Sequence, residues 1–267
     1  MNKQQLVNKN ATLTVYEYGA HVTSWVSQSG KERLFISQKA IFEKPNAIRG
    51  GIPIIFPQFN ERGPIVRHGF ARNMDWQVVR QSESKIVFEL LSNAQTKLLW
   101  PYHFKALYKI ELNEHDVVLS LTIRNTDNKP FSFTAALHSY FRVEHLTDSY
   151  IQGLTHLKYW DNNGSDFNDD KVELNKSLTF KDAIDRVYFK LNSALKFNNG
   201  FETLNIQHEG FEDCVIWNPG KQDAKNMKDF DDTEYNEMLC IEAAQIVNPI
   251  ELKPNDIWTG TQIISEN

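Results

Sequence analysis

The sequence has only two cysteines, Cys214 and Cys240, and their spacing matches no metal motif. A disulfide scaffold is excluded, and two reduced thiols in a cytoplasmic protein are the expectation. The eight histidines are scattered, with no HExxH and no Cys–His cluster, so no metal is expected. There is no GxGxxG between a strand and a helix, no P-loop and no GxSxG. Those absences remove the nucleotide folds and the usual hydrolase elbow. No long uncharged apolar run is present, so no membrane span is expected. The opening MNKQQLVNKN lacks the apolar core of a signal peptide. A net charge of -5 offers no basic footprint for nucleic acid as the main partner. Internal repeats, low-complexity linkers and long amphipathic helices are absent too.

What is present favours strands. Of 267 residues, 41% are apolar, enough for a substantial core, and 17 Phe, 9 Tyr and 6 Trp suit pleated surfaces. Residues 11–18 and 21–27 read as a strand pair around Gly19. Trp76–Arg80 and Lys85–Leu91 read as a hairpin, and 93–100 holds one helical turn ended by Pro101. The clearest pattern runs from Lys105 to Arg142, where period two persists through three strands and predicts a meander with one apolar face. In it His138 points away from Phe131, Phe133 and Leu137, toward the wet side of the sheet. Tyr159–Asp170 reads as an exposed acidic loop, Lys181–Tyr188 as a helical turn or loop, Asn218–Asn236 as a long connection and Leu239–Ile246 as a strand. Many short strands with regular turns indicate an all-β sandwich, taken here as a single domain over residues 1–267.

The stretch Arg49–Arg72, RGGIPIIFPQFNERGPIVRHGFAR, fits no regular helix. Pro53, Pro57 and Pro64 lack backbone donors, and glycines recur between them. The segment reads as stiff, extended and irregular. Its arginines, Arg49, Arg62, Arg67 and Arg72, either form an ordinary solvated loop or offer planar forks of donors to phosphate or carboxylate oxygens. Two other residues stand out. Glu242 lies inside the apolar LCIEAA, where a carboxylate is outward-facing, paired or functional. His138 follows the apolar FTAAL and is either a hydrogen-bonded sheet residue or a functional one. Their separation in sequence does not say that they meet.

Five motifs in order, IRGGIPIIFPQF, RHGFARNMDW, ALHSYFRV, VIWNPG and LCIEAA, resemble the aldose 1-epimerase-like family, and within it the hexose-6-phosphate mutarotases (glucose-6-phosphate 1-epimerases). The resemblance implies a galactose-mutarotase-like β-sandwich that holds its substrate on a concave sheet face, without a cofactor or metal. It implies His138 as general acid and Glu242 as general base. It places Arg49 and Arg72 at the phosphate end, His68 in the same pocket and Asp185 at the sugar hydroxyls. Arg67 stands where relatives often carry glutamine, and adds positive charge near the expected anion.

The implied partner is a small hexose 6-phosphate met by a monomeric enzyme. Mutarotation breaks the hemiacetal ring, so one group must take a proton from the anomeric hydroxyl while another protonates the ring oxygen. Reference pKa values, about 4.3 for Glu and about 6.5 for His, predict a window in which carboxylate and imidazolium coexist. Three alternatives stand beside this reading. They are a mutarotase of unphosphorylated aldoses, a non-catalytic sugar-phosphate binder, and a glycosidase pairing Glu242 with Asp213 or Asp185.

Overall fold

A computed structural model describes residues 1–162 and 171–266. Among them the chain is almost entirely strand, with two short helices, Ala94–Leu99 and Gly220–Ala224. Two large sheets dominate. The first, the site sheet, has the spatial order Lys171–Val172, Lys158–Asp161, Ile184–Tyr188, Asp213–Asn218, Met238–Leu252, Phe131–Leu137 and Ile54–Ile55. Tyr140–Arg142 also pairs with Met238–Leu252. The second, the back sheet, runs Ser177–Thr179, Tyr150–Gln152, Leu195–Asn198, Thr203–Glu209, Ile257–Glu266, Asp116–Asn125, Phe104–Leu112, Lys85–Leu91 and Gln77–Gln81. A smaller antiparallel sheet of Lys3–Asn8, Ala11–Tyr16 and His21–Val26 completes the fold. Its first strand was not anticipated, because KQQLVN carries too few apolar residues to show period two.

The core lies between the two large sheets. Site-sheet residues Leu137, Cys214, Ile216, Ile241 and Ala243 meet back-sheet residues such as Phe88, Tyr108, Leu121 and Ile206 in one apolar cluster. The alternate residues of the same strands face the other way. Ala136, Val187, Val215 and Ala244 form a second cluster there. Period two therefore gives the site sheet two buried faces, one packed on the back sheet and one lining a pocket.

Three expectations need correction. The three-strand meander is only a pair. Phe104–Leu112 and Asp116–Asn125 are neighbours, but Phe131–Leu137 crosses to the other sheet and pairs with Met238–Leu252 and Ile54–Ile55. The 125–130 turn supplies the crossing: Asn125 donates through Nδ2 to Lys129 O and Leu252 O, which bridges the two layers. Lys181–Tyr188 is a loop only over its first three residues. Ile184–Tyr188 is a strand between Lys158–Asp161 and Asp213–Asn218, and Ile184, Val187 and Tyr188 are buried. Of the expected loop Tyr159–Asp170, Tyr159–Asp161 belongs to a strand, and residues 163–170 lie outside the described residues.

The 49–72 strap is irregular, as anticipated, with two residues of strand and a 3-10 turn at Ala71–Asn73. Gly69 is required where the strap passes Phe56, because its φ is +66° and a Cβ would collide with the Phe56 carbonyl. His21 clamps the strap near its start, donating from Nε2 to Gly50 O at 2.7 Å. Burial lowers the His21 imidazole from 6.5 to about 4. The folded state thus binds this proton less readily than the unfolded chain. Stability is fully present above pH 6.5 and falls as pH drops through about 4, by about 3 kcal/mol from this residue. Denaturant titrations at pH 7 and pH 4 should show that loss, and His21→Gln, which keeps a donor but does not titrate, should flatten the slope. An unchanged slope in this variant would remove His21 from the account.

Candidate active site

The pocket face of the site sheet collects side chains from several strands. Asp185 lies opposite Trp217 in the register, and Val215 opposite Glu242. Ile241 and Ala243 point into the core, so Glu242 points into the pocket. Phe131–Leu137 ends one residue before His138, whose backbone N–H donates to Pro53 O on the strap. His138 Nε2 lies 3.3 Å from Glu242 Oε1. Its face is the one expected, opposite Leu137, yet the side is not wet: His138 is 8% exposed and Glu242 1%.

A brace holds this pair in place from the back sheet. Buried Gln262 accepts from Ser139 Oγ at 2.5 Å and donates to Ile241 O at 3.1 Å. Ile241 N–H also donates to Ser139 O. Ser139 follows His138 and Ile241 precedes Glu242, so one amide ties together the backbones that present both groups.

The strap supplies the facing wall. Arg49, Arg67, His68 and Arg72 all line the same cavity of about 390 Å³, together with Phe59, Asn60, Tyr140, Asn162, Asp185 and Trp217. All seven residues proposed from sequence therefore meet in one place, while Arg62 stacks over the Trp160 ring at 4.5 Å. His68 sits at φ +66°, an uncommon angle for a side-chain-bearing residue. Its backbone N–H donates to Asn60 O, and its Nδ1 accepts from Asn60 N–H, which leaves Nε2 as the protonated ring nitrogen. Asp185 accepts from Asn162 Nδ2 at 2.7 Å. Asp213 is elsewhere, buried and engaged by the Ile246 and Val247 amides at 2.7 and 2.8 Å. That removes it as a glycosidase partner for Glu242.

The arginines differ in occupancy. Arg49 is bound through Nε and Nη2 to both oxygens of Asp229 at 3.2 Å and donates from Nη1 to Tyr140 Oη at 3.1 Å. Its guanidinium is held charged by Tyr140 and Asp229 despite burial. Arg72 reaches only the Arg67 carbonyl, at 3.3 Å, and its buried Nε has no partner. Burial pushes Arg72 down to about 10, against the pull of Tyr140 and with the push of Arg49 and Arg67. Among the described residues the Arg72 guanidinium has no ion-pair partner. His138 Nδ1, Glu242 Oε2 and Asn162 Oδ1 are further buried polar atoms lacking partners, and such atoms cluster where a ligand completes them.

Sequence reasoning missed Tyr140, Trp217 and Asp229. Tyr140 stacks on the His138 ring with centroids 4.9 Å apart and planes 10° apart, and Trp217 meets both edge-on. Tyr140 and Trp217 stand inside the ALHSYFRV and VIWNPG motifs, where alternation could have placed them on the pocket face. Asp229 had no local signal. It reaches Arg49 because neighbouring Phe230 is fully buried, packing against Phe35, and anchors that part of the long connection.

The chain matches the aldose 1-epimerase family over residues 2–265. It belongs to that family. A relative from Cenchrus ciliaris, named "Putative glucose-6-phosphate 1-epimerase", is 38% identical over 271 residues, covering 96% of this chain and 82% of the relative. One from Escherichia coli K12 with the same name is 32% identical over 245 residues, covering 85% and 77%. A crystal structure from Salmonella typhimurium, described as "a putative mutarotase", superposes with a TM-score of 0.90 at 25% identity, covering 99% of this chain and 90% of that one. A galactose mutarotase related enzyme from Lactobacillus acidophilus shares the fold with a TM-score of 0.79 at 16% identity, covering 100% and 97%. The fold is the galactose-mutarotase-like β-sandwich, and the protein is an isomerase of the epimerase, or mutarotase, class.

The epimerase departs from simple expectation in its protonation. Burial holds His138 well below the ordinary imidazole range, and Arg72 and Arg49 add to the effect. Burial likewise holds Glu242 well above the carboxylate range, with the Asp185 charge adding to it. The free pair favours a neutral imidazole beside a protonated carboxyl, rather than imidazolium beside carboxylate. Nitrogen-15 NMR of the ligand-free enzyme should therefore find His138 neutral at pH 6. An imidazolium signal at that pH would contradict the arrangement.

Proposed function

We propose that the enzyme interconverts the α and β anomers of hexose 6-phosphates, with His138 and Glu242 exchanging protons at the sugar ring. The observation that carries the reading is the half-buried Arg72 in the pocket of the His138–Glu242 pair, whose buried Nε has no hydrogen-bond partner among the described residues, with Arg67 and Arg49 beside it. A partly desolvated guanidinium with an unpaired donor favours an anion, and a phosphoryl dianion supplies one. A neutral aldose offers no such compensation, although it fits the same acid–base pair.

In ring opening the His138 imidazolium gives its proton to the ring oxygen. The bond from C1 to that oxygen breaks, and its electron pair goes to oxygen. The anomeric hydroxyl yields its proton to the Glu242 carboxylate and becomes the aldehyde. One proton enters the sugar and one leaves, so the pair finishes as neutral imidazole and protonated carboxyl. Rotation about the C1–C2 bond presents the other aldehyde face, and the reverse transfers close the ring. Burial favours the neutral pair, which is the state that accompanies the open chain. The contact of 3.3 Å between the two groups suits work on the ring oxygen and the anomeric oxygen, which share C1. Tyr140 and Trp217 give the sugar aromatic walls, Asp185 and His68 Nε2–H give its hydroxyls an acceptor and a donor, and no cofactor enters the scheme.

Two measurements test this. His138→Ala or Glu242→Gln should lower the catalysed anomer exchange at least ~10²-fold while the fold is retained; near-normal exchange in either variant would refute that residue's role. Arg72→Ala should reduce the preference for glucose 6-phosphate over glucose in kcat/KM by roughly tenfold to a hundredfold. Arg49→Ala should reduce it less, since Asp229 already takes part of that charge, and Arg67→Gln least. Equal losses for both sugars in Arg72→Ala would mean that Arg72 holds the structure together rather than the phosphate.

A further inference from the structure

We propose that an anion seated among Arg49, Arg67 and Arg72 activates the His138–Glu242 pair, so that the phosphoryl group of the substrate contributes to ring opening as well as to binding. The inference rests on the sugar-phosphate reading above and assigns the anion site a second task.

The geometry joins the two ends of the pocket. Arg49 Nη1 donates to Tyr140 Oη at 3.1 Å. The Tyr140 ring lies parallel on the His138 ring, 4.9 Å away. His138 Nε2 then meets Glu242 Oε1 at 3.3 Å. One tyrosine thus separates the anion site from the proton-transfer pair, with no solvent layer between, since Tyr140 and His138 are both buried.

The charges facing His138 are unbalanced. The strap contributes Arg49, Arg67 and Arg72 together with neutral His68, whose ring centroid is 5.7 Å from that of His138. The site sheet contributes Glu242, Tyr140 and, farther along, Asp185; Trp217 is uncharged. Asp229 neutralises Arg49, but Arg72 Nε has no partner. Asp223 also lines the pocket; at His138 itself burial comes first, and Arg72, Arg49 and Arg67 add to it in opposing another positive charge. Ring opening requires that charge, because His138 must hold the proton it delivers to the ring oxygen. Three arginines act on His138 and only Arg72 on Glu242, so a dianion that offsets them favours the proton on the imidazole over the proton on the carboxyl, which is the reactive state of the pair. Removing a like charge at this range changes proton affinity by about one pKa unit, or about tenfold in the protonated fraction.

The test splits the substrate in two. Glucose supplies the reacting ring and inorganic phosphite supplies the anion, without the bridging oxygen. Exchange between glucose anomers is followed by NMR in the intact enzyme with increasing phosphite. Saturable acceleration of about tenfold is expected, together with a shift of the His138 ring nitrogens toward imidazolium. Arg72→Ala should lose the acceleration. If phosphite binds, as shown by chemical-shift changes, but leaves glucose exchange unchanged or slower, the anion site serves binding alone and the proposal is overturned. An enzyme with equal kcat/KM for glucose and glucose 6-phosphate would instead refute the sugar-phosphate reading, and this inference with it. A clear preference for glucose 6-phosphate without phosphite activation would refute only the inference.

Discussion

A carboxyl group and an imidazole ring lie out of water and in contact, and the architecture around them answers to that constraint. An ionisable side chain inside a strand of Ile, Cys and Ala is unfavourable unless its proton or its partner is controlled. Here His138 is the partner, and both groups are driven toward their neutral forms. Everything that fixes their separation therefore bears on chemistry as much as on stability. The crossing of Phe131–Leu137 into the site sheet brings His138 beside Glu242. Gln262, reaching through the core from the other sheet, ties the two backbones together.

The strap plays the complementary part. Sheet residues alternate in and out, so a sheet alone presents few groups on one concave spot. An irregular segment of Pro and Gly can lay consecutive donors over that spot, because its backbone is not committed to a ladder. Arg67, His68 and Arg72 reach the pocket from within six residues of chain. The left-handed backbone at His68 and the close passage of Gly69 past Phe56 show how tightly this course is specified. The result is a polar pocket in which positive charge gathers on one wall and the proton-transfer pair on another.

Charge in the pocket is graded. Asp229 satisfies Arg49, Asn162 satisfies Asp185, and Arg72 is left with a single backbone acceptor. Such grading separates residues that hold the pocket together from residues that await a ligand. Arg49 belongs to both groups, since its contact with Tyr140 also reaches the ring stacked on His138.

The sequence by itself determined the strand class, through period two in segments such as Lys105–Leu112 and Val117–Arg124, and the irregular course of the strap, through its prolines and glycines. Those are local effects, set by which side chains suit a pleat and which backbones lack a donor. It also marked Glu242 and His138 as out of place, and the ordered motifs pointed to the pocket residues. Only the tertiary structure decided which strands are neighbours, because period two orients a strand's faces without naming its partner; the expected meander failed at Phe131 for that reason. Ile184–Tyr188 escaped notice because Asp185 and Arg186 interrupt its apolar pattern, and both have partners only in the folded sheet. Protonation was likewise beyond the sequence. Unperturbed values leave a window in which both His138 and Glu242 are charged, whereas burial drives both toward neutrality, helped at His138 by three arginines and at Glu242 by the Asp185 charge, and desolvation exists only after the chain has folded.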